Sequence, residues 1–321
     1  MKLGVFNTVL FDKKLDEALD IAKSWGLDAI ELGSGGFVPK NHVDPAELLE
    51  DDKKRKYLLD AVEKRGLIIS ALSCHGNILH PQNNFADQHR KDLRDTIQLA
   101  GKIGVERICT FAGCPGASEQ DQTPNWITCP WPDYFSEGAK WQWEKRLIPA
   151  WKKEAEFAKK HGVKMIAFEM HPGDAVYNPE KLLKLRNAVG EVIGCNLDPS
   201  HLFWQGIDPI AAIRALKDCI YHVHAKDSRV DPLVAQVNGV LDNKPYSDEM
   251  NRSWIFRTVG YGHDAGFWTD FVSTLRLVGY DFVLSIEHED SLMSGEEGVK
   301  KAITFLKSVL IEKPRGAMFW D

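Results

Sequence analysis

Four apolar runs in this chain each stop on a side chain that can bind a metal ion. Val163 to Phe168, apolar apart from Lys164, stops at Glu169; Ile193 to Leu197 stops at Asp198; Cys219 to Val223 stops at His224; Phe282 to Ile286 stops at Glu287. Runs of this length read as buried strands, and in a barrel of parallel strands the carboxyl ends converge on the face where active sites sit. The expectation is that Glu169, Asp198, His224 and Glu287 hold one divalent ion. Three carboxylates and one imidazole suit Mn²⁺, Mg²⁺ or Co²⁺ better than a structural zinc, which favours thiolates and histidines. Such a site can hold a polyol or hydroxy-ketone through two adjacent oxygens. It polarises the carbonyl and eases loss of the proton on the neighbouring carbon, through an enediolate.

Other side chains are placed to assist. His201 follows Asp198 in the turn Asp198-Pro199-Ser200-His201, so it either reaches the substrate's carbonyl oxygen or only caps the next helix. Glu169 and Glu287, from strands on opposite sides of the site, could each ligate with one oxygen and move a proton with the other. His75, His263 and Lys226 are the remaining acid–base candidates, although single histidines on loops are more often structural. Asp227 and Arg229 either orient substrate hydroxyls, anchor His201 or form a surface ion pair. His222 shares a strand face with His224 and lies deeper, while His171, His288 and Glu289 flank ligands and are expected to support them. Trp126 and Trp131, in a Pro- and Trp-containing stretch from 112 to 140, either stack on a sugar ring or pin the loop to the rim. The glycines of Gly33 to Pro39 form a loop edging the sugar pocket, since no Lys-Ser/Thr follows to complete a phosphate-binding loop.

The elements that must carry these residues follow a repeating rhythm of strand, helix and glycine stop. Strands are expected at 2–10, 29–32, 67–72 and 105–111, then at the four runs that end in ligands. Helices are expected at 14–25, 52–65, 88–103, 141–160, 179–188, 208–216, 266–278 and 294–310. Eight strand–helix units of this kind predict a (β/α)8 TIM barrel as a single domain over 1–321, with long loops after the fourth and seventh strands, the second being a polar insertion from Ser228 to Tyr261.

Composition bounds the rest. With 44% hydrophobic and 27% charged residues and a net charge of −6 over 321 residues, the chain is an ordinary globular protein without a broad pull toward nucleic acid or anionic membrane. No apolar run is long enough to span a bilayer, and the start reads as a strand, not a signal peptide. The six cysteines contain no C-x-x-C pair, and Cys109, Cys195 and Cys219 are expected inside strands, which points to reduced thiols in the cytoplasm. Met318, Phe319 and Trp320 at the end suggest docking onto a neighbouring subunit.

The chain resembles the sugar phosphate isomerase/epimerase family, also called the xylose isomerase-like barrel family. The matching motifs are Glu169-Met170-His171-Pro172, Asn196-Leu197-Asp198-Pro199-Ser200-His201-Leu202, His222-Val223-His224-Ala225-Lys226-Asp227 and Ile286-Glu287-His288. The resemblance implies a TIM barrel with Mn²⁺ or a similar ion, acting on keto sugars. It makes Glu169 and Glu287 acid–base residues as well as ligands, and His201 and Arg229 substrate-binding. Ser73-Cys74-His75-Gly76-Asn77, the tryptophans and Gly260-Tyr261-Gly262-His263 look like the branch acting on 3-keto-glycosides. That branch includes catalytic subunits of C-glycoside deglycosidases, which pair with a small second subunit, and related lyases or hydratases. There His75 or His263 would serve the leaving group. A metal-dependent endonuclease of the same barrel would need a basic face, and a non-catalytic sugar-binding subunit would not need the ligands intact.

Overall fold

A computed structural model describes residues 1–314 and 316–320. The strands are β1 (Lys2–Phe6), β2 (Ala29–Gly36), β3 (Ile68–His75), β4 (Arg107–Thr110), β5 (Met165–Glu169), β6 (Ile193–Leu197), β7 (Ile220–Ala225), β8 (Asp227–Val230), β9 (Trp254–Arg257) and β10 (Val283–Ile286). Eight of them pair in parallel and close into a barrel in the order β1-β10-β7-β6-β5-β4-β3-β2. β8 and β9 form a separate antiparallel hairpin. With helices between the barrel strands, the fold is a single (β/α)8 TIM barrel. No helix among the described residues is long and apolar enough to cross a membrane.

Local sequence starts and stops the helices. Asp51 accepts the backbone N–H of Lys53 and Lys54 at the head of Asp52–Glu63, and Asn178, Asp208, Asp264 and Ser294 cap four later helices in the same way. Gly104, at φ +75°, closes Asn83–Ile103 in the left-handed conformation that a side chain would oppose. Trp151 and Trp268, both fully buried, come from helices and pack into the main apolar core, Trp151 edge-on to Phe168 of β5.

The structure departs from the sequence reading in several places. The first strand ends at Phe6, and Asn7–Leu10 forms a short 3₁₀ turn. The glycine stretch is strand as far as Gly36, because β2 pairs with β3 through Gly35 opposite Cys74 and Gly36 opposite His75. A side chain at Gly36, where φ is +74°, would run into the His75 carbonyl, so these glycines permit close backbone approach. The stretch from 112 to 140 is not all loop, since a helix begins at Asp133 and runs to Trp141. Cys219 sits in a 3₁₀ turn before β7, while Cys74 is the additional strand cysteine. The insertion after β7 is a hairpin with a helix, Pro232–Asn238, organised around buried Asp227 and Asp290.

Candidate metal centre

Glu169 is the last residue of β5, Asp198 follows β6 directly, His224 lies one residue from the end of β7, and Glu287 follows β10 directly. These are consecutive strands around the barrel, so the four side chains form an arc with Glu169 and Glu287 at its ends. One ligand atom from each lies within 4.8 Å of the others. Glu169, Asp198 and His224 are buried, and the Glu287 side chain is 12% exposed.

The donor set fits a divalent cation. His224 Nε2 is 3.0 and 3.1 Å from the two oxygens of Glu31, so its proton is directed there. Nδ1 lies 3.0 Å from Glu287 Oε2 and 3.2 Å from Glu169 Oε2; against burial, Glu31 and Glu287 raise the imidazole well above its usual value, so in the absence of a cation a second proton sits at Nδ1, in the place a cation would take. Asp198 Oδ2 and Glu287 Oε2 are buried without a hydrogen-bond partner. A second proton on His224 would serve Glu287 but leave Asp198 Oδ2 without a hydrogen bond, whereas a cation among the four serves all of them.

The remaining polar atoms hold this arrangement in place. Asp198 Oδ1 accepts the N–H of Ser200 at 2.8 Å, which leaves Oδ2 aimed at the cluster. Glu169 Oε1 is 2.9 Å from His201 Nε2, and Oε2 accepts from the Asn196 amide at 3.3 Å. Burial would raise the Glu169 carboxyl, but His201, His224 and His75 hold it well below the usual carboxylate range. Burial likewise opposes ionisation of Glu287, yet Lys226 and His224 bring it down to about 2. For Asp198 burial wins over His201 and Lys226, and its carboxyl is raised. Lys226 lies 3.2 Å from Glu287 and also pairs with Glu289; these carboxylates outweigh burial and keep the ammonium charged.

Glu31 escaped the sequence reading. It is fully buried in β2 and hydrogen-bonded to Ser73, to Ser285 and to His224; against the opposing effect of burial, the His224 and His222 imidazoles, with the Ser285 hydroxyl, hold its carboxyl below the usual range. Its only signal in the sequence is a carboxylate inside an apolar strand. His222 does lie deeper, with its ring between Asn196 and Ser70.

A cavity of about 400 Å³ opens over the cluster, lined by the polar Glu169, His171, Lys226, Glu287 and His75 and by the aromatic Phe6, Phe37 and Phe111. His75 Nε2 is buried 3.2 Å from Glu169 Oε2, at an angle that makes no good hydrogen bond. His201 Nε2 is also 3.3 Å from Asp198 Oδ2, and its ring packs edge-on against His171. Thus His75, His201 and Lys226 join the four ligands. His263 and Arg229 do not, because they line a separate groove beside Phe203. Asp227 anchors His263, not His201: its Oδ1 lies 2.7 Å from His263 Nδ1, while Oδ2 accepts the N–H groups of Gly260, Gly262 and His263. Trp126 lines a different cavity, edge-on to Tyr177, and Trp131 is 73% exposed. His288 and Glu289 line the rim of the metal-side cavity.

A family model described as "Xylose isomerase-like TIM barrel" matches residues 19–309. The chain belongs to this family. Among curated relatives of this xylose isomerase-like barrel is the uncharacterized protein YfiH of Bacillus subtilis, 40% identical over 312 residues that cover 97% of this chain and 99% of that one. Among solved structures, the 3-keto-D-glucoside 4-epimerase YcjR of E. coli has a TM-score of 0.66 at 13% identity, covering 96% of this chain and 99% of that chain. The IolI protein with a bound zinc atom has a TM-score of 0.62 at 17% identity, covering 97% and 98%. At such identities these two structures share the fold with this chain and nothing finer.

Proposed function

We propose that this xylose isomerase-like barrel is a divalent-metal-dependent enzyme of the sugar isomerase/epimerase type, removing a proton next to the carbonyl of a keto sugar through an enediolate. The observation that carries this reading is the convergence of Glu169, Asp198, His224 and Glu287, with buried oxygens of Asp198 and Glu287 that make no hydrogen bond. A solved neighbour that binds zinc and another that epimerises a keto-glucoside support it by analogy of fold. The hard donors of three carboxylates favour Mn²⁺, with Mg²⁺ or Co²⁺ as substitutes. A dication bound there supplies Lewis acidity that lowers the barrier to losing the proton beside a carbonyl.

The side chains do the proton work. Glu169 and Glu287 stand at the two ends of the arc, so a substrate between them meets one carboxylate on each side. One carboxylate removes a proton and the other returns it. Lys226 keeps Glu287 ionised, and His201 holds Glu169 in position. Among the described residues the cavity lining includes one lysine, already set between Glu287 and Glu289, and no arginine, which suits a neutral polyol over a sugar phosphate.

A second reading has a specific observation in its favour. His75 brings an additional imidazole to the cavity with Nε2 unpaired, and an imidazole there can give a proton to a departing group. That would make the enzyme a lyase or hydratase on 3-keto-glycosides, working with a small second subunit if it is a deglycosidase. Both readings share the first proton transfer. Incubation of the Mn²⁺-loaded protein in D₂O with keto sugars and 3-keto-glucosides should place deuterium on the carbon beside the carbonyl. Epimerised or isomerised product without label contradicts enediolate chemistry; elimination consumes the enediolate without returning a proton, so release of the aglycone is read separately and distinguishes the lyase from the epimerase.

A further inference from the structure

His263 and Arg229 sit together in a second place. They line an open groove of about 540 Å³, within the usual range of ligand sites, whose walls include Phe203, Ile207, Pro209 and Phe267. This groove shares no lining residue with the cavity over the metal cluster. The turn Ser200–Phe203 joins the two, since His201 contacts Glu169 and Phe203 lines the groove.

The His263 ring is fixed from two sides. Phe203 stacks on it at 3.6 Å with planes 16° apart, and buried Asp227 Oδ1 lies 2.7 Å from Nδ1. Asp227 is a carboxylate that already accepts several backbone N–H groups, so it takes the Nδ1 proton of the ring. Nε2 then has no protein partner among the described residues, and it can accept from a hydroxyl or, once protonated, donate to an anion. Arg229 is exposed on β8 and makes no ion pair or hydrogen bond among the described residues. An unpaired surface arginine alone says little. Beside an oriented imidazole and between aromatic walls, it completes a donor pair for a planar anion. Asp208 also lines the groove; its Oδ1 caps Ile210, and its charge disfavours a dianion.

We infer that this groove is a binding site for a small molecule with a carboxylate on a flat apolar body. Arg229 and the Nε2–H of the doubly protonated His263 imidazole hold the carboxylate, and Phe203 and Phe267 cover the ring. The site is independent of the chemistry proposed at the barrel mouth.

The test is a titration of the full-length protein with benzoate, following the histidine ring signals by NMR, with benzyl alcohol and inorganic phosphate as parallel probes. Saturable movement of the His263 signals by benzoate is expected, weakened by about tenfold in Arg229→Gln and much smaller with either other probe. Because Arg229 is exposed and unpaired, the variant should keep the wild-type melting temperature. Unmoved His263 signals up to the solubility limit of benzoate overturn the inference. So does equal affinity in Arg229→Gln or equal binding of benzyl alcohol. Tighter binding of phosphate removes the apolar body from the assignment and overturns it as stated. Movement confined to His75, His171 or His201 places the anion at the metal cavity instead and also overturns it.

Discussion

His224 has two ring nitrogens with two different tasks, and Glu31 separates them. By taking the Nε2 proton, Glu31 leaves Nδ1 free to face Glu169 and Glu287. Replacing Glu31 by Gln keeps its volume and its serine partners but removes the charge that orients the ring. Mn²⁺ affinity measured by equilibrium dialysis should fall about 10–100-fold, while the circular dichroism spectrum is retained. Unchanged affinity would show that His224 is oriented by packing alone. Glu31 was visible as a charge between Ile30 and Leu32, but its partner lies 193 positions away, and no local pattern links the two. Asp174 offers a test of burial away from the ligand set. Burial pushes its carboxyl up to about 7, more than the Gly113 backbone can offset. A folded value raised above the unfolded one makes the folded state hold the proton more tightly. Stability from Asp174 is therefore full below pH 4, lost as pH rises toward 7, and constant above that. Asp174→Asn should match wild type near pH 4 and exceed it by about 4 kcal/mol at pH 8. A difference in melting temperature that does not change with pH contradicts this.

At the scale of elements, the ends of the strands were the legible part. An apolar run that stops on Glu, Asp or His is a short-range pattern, and the ends of β5, β6, β7 and β10 fall within a residue of those stops. The glycine stretch misled for a physical reason. Glycine is scarce within strands, so Gly33 to Gly36 reads as loop, yet here it lets β2 run hard against β3 up to His75. Gly36→Ala should destabilise the protein by about 2 kcal/mol or more, from the positive φ and the collision with the His75 carbonyl. Thermal unfolding measures this, and a wild-type melting temperature would mean that the strand end yields without cost. The helix Asp133–Trp141 and the β8–β9 hairpin were hidden because they are short and rest on tertiary partners. In the hairpin those partners are buried carboxylates that collect backbone N–H groups.

At the scale of the whole molecule, the order of strands around the barrel turns distant residues into neighbours. Glu169 and Glu287 are far apart in sequence and only three steps apart around the barrel, across β6 and β7. The strand–helix rhythm was enough to expect this closure. The paths of the long insertions were not legible, so His263, Arg229, Trp126 and Trp131 were assigned to a mouth that they do not line. Met318, Phe319 and Trp320 are exposed, with Phe319 at 95%. Metal binding is the property on which the proposed chemistry depends. Titrating metal-free protein with Mn²⁺ and counting bound ion by electron paramagnetic resonance should give one ion per wild-type chain and none in Asp198→Ala. A wild-type chain that binds none, or an Asp198→Ala chain that keeps its full ion, contradicts the assignment.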